Sequence, residues 1–235
     1  MQFTIAREIA ERHPDVLVGG LVASNLRAAA ATVAGQPFPE DTAVALVSQD
    51  VTIELAADHP LIRDWRTAIG ECGLKPSTYK SSPEQLARRT LKSGPVRTGL
   101  ALVDLYAEVA TRHLASLAGY DVHRLPPEPI VLRLADPEAD VFVPLGGGDV
   151  PLTGRVAVYA AGATVLRWAY NCRDSRDTCL TGETDTGLFL GEAVSSGQHD
   201  ALRTALDDLA ARLAAAGAQV GPVLFADRDQ PHIAV

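Results

Sequence analysis

Apolar residues recur at helical spacing up to about residue 120, and beyond it they fall into short β-branched runs bounded by turn residues. That partition constrains the fold most: a doubly wound parallel sheet needs helices and strands in alternation, whereas helices gathered early and strands gathered late argue for an α+β chain. With 235 residues and 47% hydrophobic side chains, there is material for one sizeable core, and we expect a single domain over residues 1–235.

Residues 3–5 suggest a short strand, 7–12 a turn or two of helix stopped by Pro14, and 15–23 a buried strand. The alanine-rich stretch 26–34 fits helix or strand, and 35–41, with two prolines, is a loop. A clear helix opens at Asp58, His59 and Pro60, carries Ile62, Trp65, Ile69 and Cys72 on one face, and ends before Gly73. Ser82 is the expected cap of the next, with Pro83 in its first turn and Gln85 reaching back to the cap; it runs to about Lys92, before Gly94 and Pro95. A longer helix then places Leu102, Tyr106, Val109, His113 and Leu117 on one face, closed by Gly119, making three clear helices before residue 120. In the second half, 130–134 and 141–144 suggest one hairpin and 155–159 with 164–169 another, turning at Ala160, Ala161 and Gly162. A polar loop over 171–184, a strand over 187–193, a helix carrying Leu202, Leu206, Leu209 and Leu213, and a strand over 220–225 complete the chain, which has no internal repeat.

The net charge of −8 argues against broad, sequence-independent binding to nucleic acid, which needs an extended basic surface to displace counterions. A local patch survives this argument: Lys75, Lys80, Arg88, Arg89, Lys92 and Arg97 put six cations into 23 positions, as a solvated helix face or as a surface for an anionic ligand. Three cysteines make no disulfide framework and suggest a reducing compartment. No apolar run reaches membrane-spanning length and the N-terminus has no signal-peptide core, so the expected location is the cytoplasm.

The six histidines lack His-x-His or His-x-x-x-His spacing, and Cys172 and Cys179 are too far apart for a zinc clip; neither metal nor cofactor is expected. The glycines at 146–148 precede no Gly-Lys-Ser/Thr and are expected to form a plain turn. Ser81, Ser82 and Ser175 lack a nucleophile-elbow context, and His113 falls on the apolar face of its helix. The polar loop offers more: Asn171, Arg173, Asp174, Ser175, Arg176, Asp177 and Thr178 can orient a polar substrate without a strong base, although short Asp, Asn and Ser side chains also suit an ordinary turn.

The segments HPLIRDWRTAIGECGLKPSTYKSSPEQLARR, LALVDLYAEVA, GYDVHRL and NCRDSRDT, in this order over residues 59–193, resemble the B3/B4 domain of the bacterial phenylalanyl-tRNA synthetase beta subunit in a free-standing form. The resemblance implies an α+β unit around a mixed or antiparallel β-sandwich, and an activity that hydrolyses tyrosine wrongly esterified to the phenylalanine tRNA. Ala118 stands where that family usually has its editing histidine, Leu100 and Ala107 stand near its usual asparagines, and Glu192 lies near the acidic residue that recognises the tyrosine hydroxyl. The implied function is an aminoacyl-tRNA deacylase acting in trans, with Asn171, Arg173, Ser175, Thr178 and Glu192 as candidate catalytic residues. Lys80, Arg88, Arg89, Lys92 and Arg97 would hold the tRNA. The alternative is a non-catalytic module binding tRNA, other RNA or an amino-acid-like ligand. Neither DNA nor membrane is an expected partner, and the sequence leaves the oligomeric state, the tRNA and the amino acid open.

Overall fold

The structure, a computed structural model, describes residues 1–37 and 39–234. In chain order the elements are β1 (Gln2–Ile5), α1 (Arg7–Arg12), β2 (Leu17–Ser24), α2 (Leu26–Ala34), α3 (Thr42–Val47), α4 (Pro60–Glu71), α5 (Ser82–Ser93) and α6 (Ala101–Arg112). There follow β3 (Ser116–Asp121), β4 (Ile130–Leu134), β5 (Ala157–Ala161), β6 (Thr164–Trp168), β7 (Arg173–Asp174), β8 (Thr186–Ala193), α7 (His199–Ala215), β9 (Gln219–Val220), β10 (Leu224–Asp227) and β11 (His232–Ala234).

The strands form two sheets, ordered β11-β1-β4-β5-β6-β7 and β10-β2-β8-β3, with β9 beside β2. Every pairing is antiparallel except β1 with β4. Phe3, Leu132, Val158 and Leu166 of the first sheet share one core with Val18, Ala118, Tyr120 and Leu190 of the second, so the two sheets form a sandwich. The second sheet is covered on its other face too: Leu17, Leu21, Leu117 and Phe189 pack against Leu26 of α2, Leu105 and Val109 of α6, and Leu206 and Leu209 of α7. Strands buried on both faces read as continuous apolar runs, which is why LVGGLVAS and TGLFLGEA show little alternation. A Cβ on Gly191 of β8 would sit 2.6 Å from the Leu202 side chain and 2.8 Å from the Ser116 carbonyl, so α7 reaches this sheet only over a bare backbone. A third, small core of Leu46, Val51, Ile62, Ala87 and Leu114 joins α3, α4 and α5.

The α+β class holds, and residues 26–34 are helical. Several sequence expectations need correction. Among the described residues there are six helices before residue 120, because α1 and the six-residue α3 are full elements too short for a periodic signal. The expected loop 35–41 includes Phe38, which lies outside the described residues. Helix α6 stops at Arg112, Leu114 turns with φ 50°, and 116–121 continue as a strand. Leu117 and Gly119 thus belong to β3, where a Cβ on Gly119 would meet the Leu180 side chain at 2.7 Å. The 130–134/141–144 hairpin does not form: β4 pairs with β1 and β5, and Val141 and Pro144 make only isolated bridges. The 155–169 hairpin forms as β5 and β6, with Gly162 at φ 56° in its turn. The last expected strand divides into β9 and β10, and β11 follows.

Candidate functional site

Ser81 and Ser82 both precede Pro83, and only one of them can cap α5. The cap is Ser81: its backbone is extended and its hydroxyl accepts from Glu84 N at 3.4 Å, so Ser82 is the first helical residue. Gln85 donates to the carbonyls of Lys80 and Cys172 rather than folding back on the cap. This shift of one residue leaves the buried Ser82 hydroxyl without a partner, beside a cavity of about 430 Å³.

The cavity lies where the first turns of α5, the start of α6 and the β6–β7 segment converge. Leu86, Val96, Val103, Tyr106, Leu117 and Leu145 supply its apolar wall. Ser82, Gln85 and Arg89 enter it from α5, and Asn171, Arg173 and Asp174 from the segment after β6. A larger groove between β1, α1 and Pro231 is lined by none of the unpartnered buried side-chain atoms found among the described residues.

Asn171 is placed by a strained turn. Ala169 and Tyr170 both adopt left-handed backbone, at φ 50° and 60°, which for residues bearing a Cβ costs about 1–2 kcal/mol each. Packing holds them there: the Tyr170 ring lies 5.9 Å from Trp65 and edge-on to His13 at 5.5 Å. The turn delivers Asn171, 2% exposed, so that its Oδ1 accepts from Ser82 N at 3.2 Å while its Nδ2 donors find no protein partner. Burial pushes the His13 pKa down to about 4, with the Arg12 charge adding to the effect, so a neutral imidazole backs this turn even though Glu71 lies 3.5 Å from its Nε2.

Behind the cavity lies a charged group between the sheets. Arg167 of β6, 1% exposed, gives Nη1 to both oxygens of Glu192 at 3.0 and 2.9 Å and Nη2 to the Leu117 carbonyl. Its Nε faces Asp174 Oδ1 at 3.1 Å without hydrogen-bond alignment. Burial raises the Asp174 carboxyl against the pull of Arg167, and the Glu192 charge raises it further. Tyr106, across the cavity, has its phenol pushed up by burial and then by Asp174. Burial drives the Cys172 thiol far up as well, which removes it as a thiolate nucleophile.

Of the candidate catalytic residues, Asn171 and Arg173 line the cavity and the other three lie elsewhere. The Ser175 hydroxyl accepts from Asp177 N and its N–H pairs with Leu166 O. Thr178 is fully buried, its carbonyl accepting from Asp121 N. Glu192, 2% exposed, is held by Arg167 and by the Ser116 hydroxyl at 2.6 Å. Among the candidate RNA-binding residues, Arg89 reaches the cavity mouth and Lys92 and Arg97 are exposed. Arg88 is held by Glu84 at 3.0 Å, and Lys80 donates to Ser77 O. Sequence reasoning passed over Ser82 as a ligand-facing group, and it placed Asp174 among the substrate-orienting residues of the polar loop without singling it out. The doubled serine before Pro83 was the available signal for Ser82; nothing local separates Asp174 from the other acids of its loop.

The residues that line this cavity, from Ser82 to Asp174, all fall within one family model: the B3/4 domain matches residues 64–206. The chain belongs to the B3/4 domain family. Among solved structures, this B3/4 chain is similar to an N-terminal fragment of the phenylalanyl-tRNA synthetase beta-subunit from Pyrococcus horikoshii, at 11% identity and a TM-score of 0.43. The similarity covers 93% of this chain and 49% of the fragment, so the chain spans about half the fragment's length. No curated protein matches the chain. Among the described residues no three His, Cys, Asp or Glu side chains gather as metal ligands, and no helix is long and apolar enough to cross a membrane.

Proposed function

We propose that this B3/4 chain hydrolyses the ester of an aminoacyl-tRNA in trans, the aminoacyl group entering the cavity and the acceptor strand lying along the exposed side of α5. The observation that carries the reading is the pair of unpartnered donors, Asn171 Nδ2 and Ser82 Oγ, in a cavity of ligand size whose mouth carries Arg89. Buried donors without partners are costly in a folded protein and are well placed to bind an oxygen that gains negative charge.

In this reading water adds to the acyl carbon, the carbonyl oxygen takes up charge against Asn171 and Ser82, and the ribose oxygen leaves with a proton. The rate gain comes from positioning and preorganised donors rather than from a covalent intermediate. Arg173, whose Nη1 is committed to Cys172 O, has further donors for the ester or the terminal phosphate. Arg89 and Lys92, both exposed, contact the backbone.

Single-turnover deacylation with saturating protein, over a panel of correctly and wrongly charged tRNAs, is the test. Hydrolysis of at least one member above the buffer rate is expected, and no hydrolysis across the panel leaves the binding-module reading. In parallel filter binding, Arg89→Ala should lower the salt slope of tRNA affinity by about one unit with unchanged stability.

A further inference from the structure

The charges behind the cavity do not balance. Glu192 and Asp174 face one guanidinium, and Arg167 gives its two aligned Nη1 bonds to Glu192. Asp174 keeps only the unaligned contact with Nε, its sole ion-pair partner among the described residues, although Arg89 and Arg173 line the same cavity. Its side chain is a third exposed and opens into the cavity. A carboxylate so placed, with apolar Leu117 and Tyr106 beside it, is short of one positive charge. A second observation marks the same spot as ligand-facing: Asn171, 2% exposed and three residues earlier, lines the cavity with an unpartnered Nδ2.

An acceptor that lacks a cation, a donor pair that lacks an oxygen and an aliphatic wall with one aromatic ring together describe the acyl half of an α-amino acid. We infer that Asp174 binds the ligand's α-ammonium, so that the cavity takes acyl groups with a free amino terminus and an apolar side chain and rejects those whose nitrogen is acylated. This rests on the reading of the cavity as an aminoacyl site and adds the group it selects by. Acylation of the nitrogen removes the charge and adds bulk against a carboxylate, leaving Asp174 buried by the ligand and unpaired; loss of a charge-assisted contact of this kind costs about 1.5–3 kcal/mol, or roughly ten- to a hundredfold.

Two amides that cannot be hydrolysed are the probes: 3′-deoxyadenosine bearing L-leucine or L-phenylalanine through a 3′-amide, each with a free amine and as its N-acetyl derivative. Titration of the whole protein, followed by NMR or calorimetry, should show the free amine binding at least tenfold tighter. Asp174→Asn should remove most of that preference, mainly by weakening the free amine. The wild-type comparison stands without the variant, so a folding defect in Asp174→Asn leaves it intact. Equal affinity for the two forms, binding of neither, or a preference undiminished in folded Asp174→Asn would overturn the inference. The two proposals fail separately. An ammonium preference with every charged tRNA surviving keeps this one and removes hydrolysis; N-acetyl-aminoacyl-tRNA cleaved as fast as its free-amine parent does the reverse.

Discussion

Helix α6 carries two polar clusters built on opposite rules. Toward its C-terminus Glu108, 4% exposed, accepts from Thr42 at 3.0 Å, Arg112 at 2.8 Å and Arg212 at 2.7 Å. Arg112 also reaches Asp41 at 2.6 Å, and Asp208 takes Arg212 and His113. Two guanidiniums, three carboxylates and an imidazole interlock, and no side-chain atom of the six is without a partner while buried. Around Tyr106, nearer the helix N-terminus, Ser82, Asn171 and Asp174 each present an atom without a hydrogen-bond partner. The first cluster completes itself within the chain and ties α3, α6 and α7 together; the second leaves three side-chain atoms without a hydrogen-bond partner, which the proposed aminoacyl ligand would supply.

The largest effect should come from breaking the closed cluster. Glu108→Ala takes away the buried acceptor that Arg112 and Arg212 share, leaving them only Asp41 and Asp208, and should cost about 3–5 kcal/mol of stability by denaturant unfolding, the range for removing one partner of a buried ion pair. A loss below about 1 kcal/mol would mean that the network does not carry the α3–α6–α7 junction.

Asn171→Ala inverts that pattern. Deacylation should slow about ten- to a thousandfold, while tRNA affinity changes little, because the donor acts on charge that appears only in the transition state. A matching fall in affinity and none in rate would assign Asn171 to ground-state binding.

The packing behind the open cluster gives a pH signature. His13 has a folded-state pKa near 4 against an ordinary 6.5, so its neutral form stabilises the fold fully above pH 6.5 and that contribution fades as the pH drops toward 4. The fade amounts to about 3 kcal/mol, and His13→Phe, which keeps a ring against Tyr170, should flatten this part of the stability-against-pH curve. An unchanged slope in the variant would place the titrating group elsewhere.

The smallest effect separates two adjacent serines. Ser81→Ala removes the α5 cap and should cost roughly 0.5–2 kcal/mol, whereas Ser82→Ala should leave stability within about 0.5 kcal/mol and slow deacylation. The opposite assignment by thermal or chemical unfolding would return the cap to Ser82 and close the open cluster by one atom.

The sequence alone determined which stretches are helix and which are strand wherever the pattern was long: α4, α5 and α7 follow from apolar spacing and terminal proline and glycine, β8 from its apolar run, and the α+β class from their order. It also held the family resemblance over the part that builds the cavity. Apart from the β5–β6 hairpin, only the tertiary structure decided what pairs with what. Residues 141–144 had strand composition, but β4 found better partners in β1 and β5; Leu117 and Gly119 continued the α6 pattern, but the approach of β8 and Leu180 made them strand. The site divided for the same reason. Asn171, Ser175, Thr178 and Glu192 look equally polar in the chain, and whether each lines the cavity or is held inside the sandwich is fixed by neighbours 89 residues away for Asn171, 57 for Thr178, and 25 and 76 for Glu192. Local sequence specifies a residue's chemistry, whereas the partners that use up that chemistry or leave it open arrive through packing between distant segments.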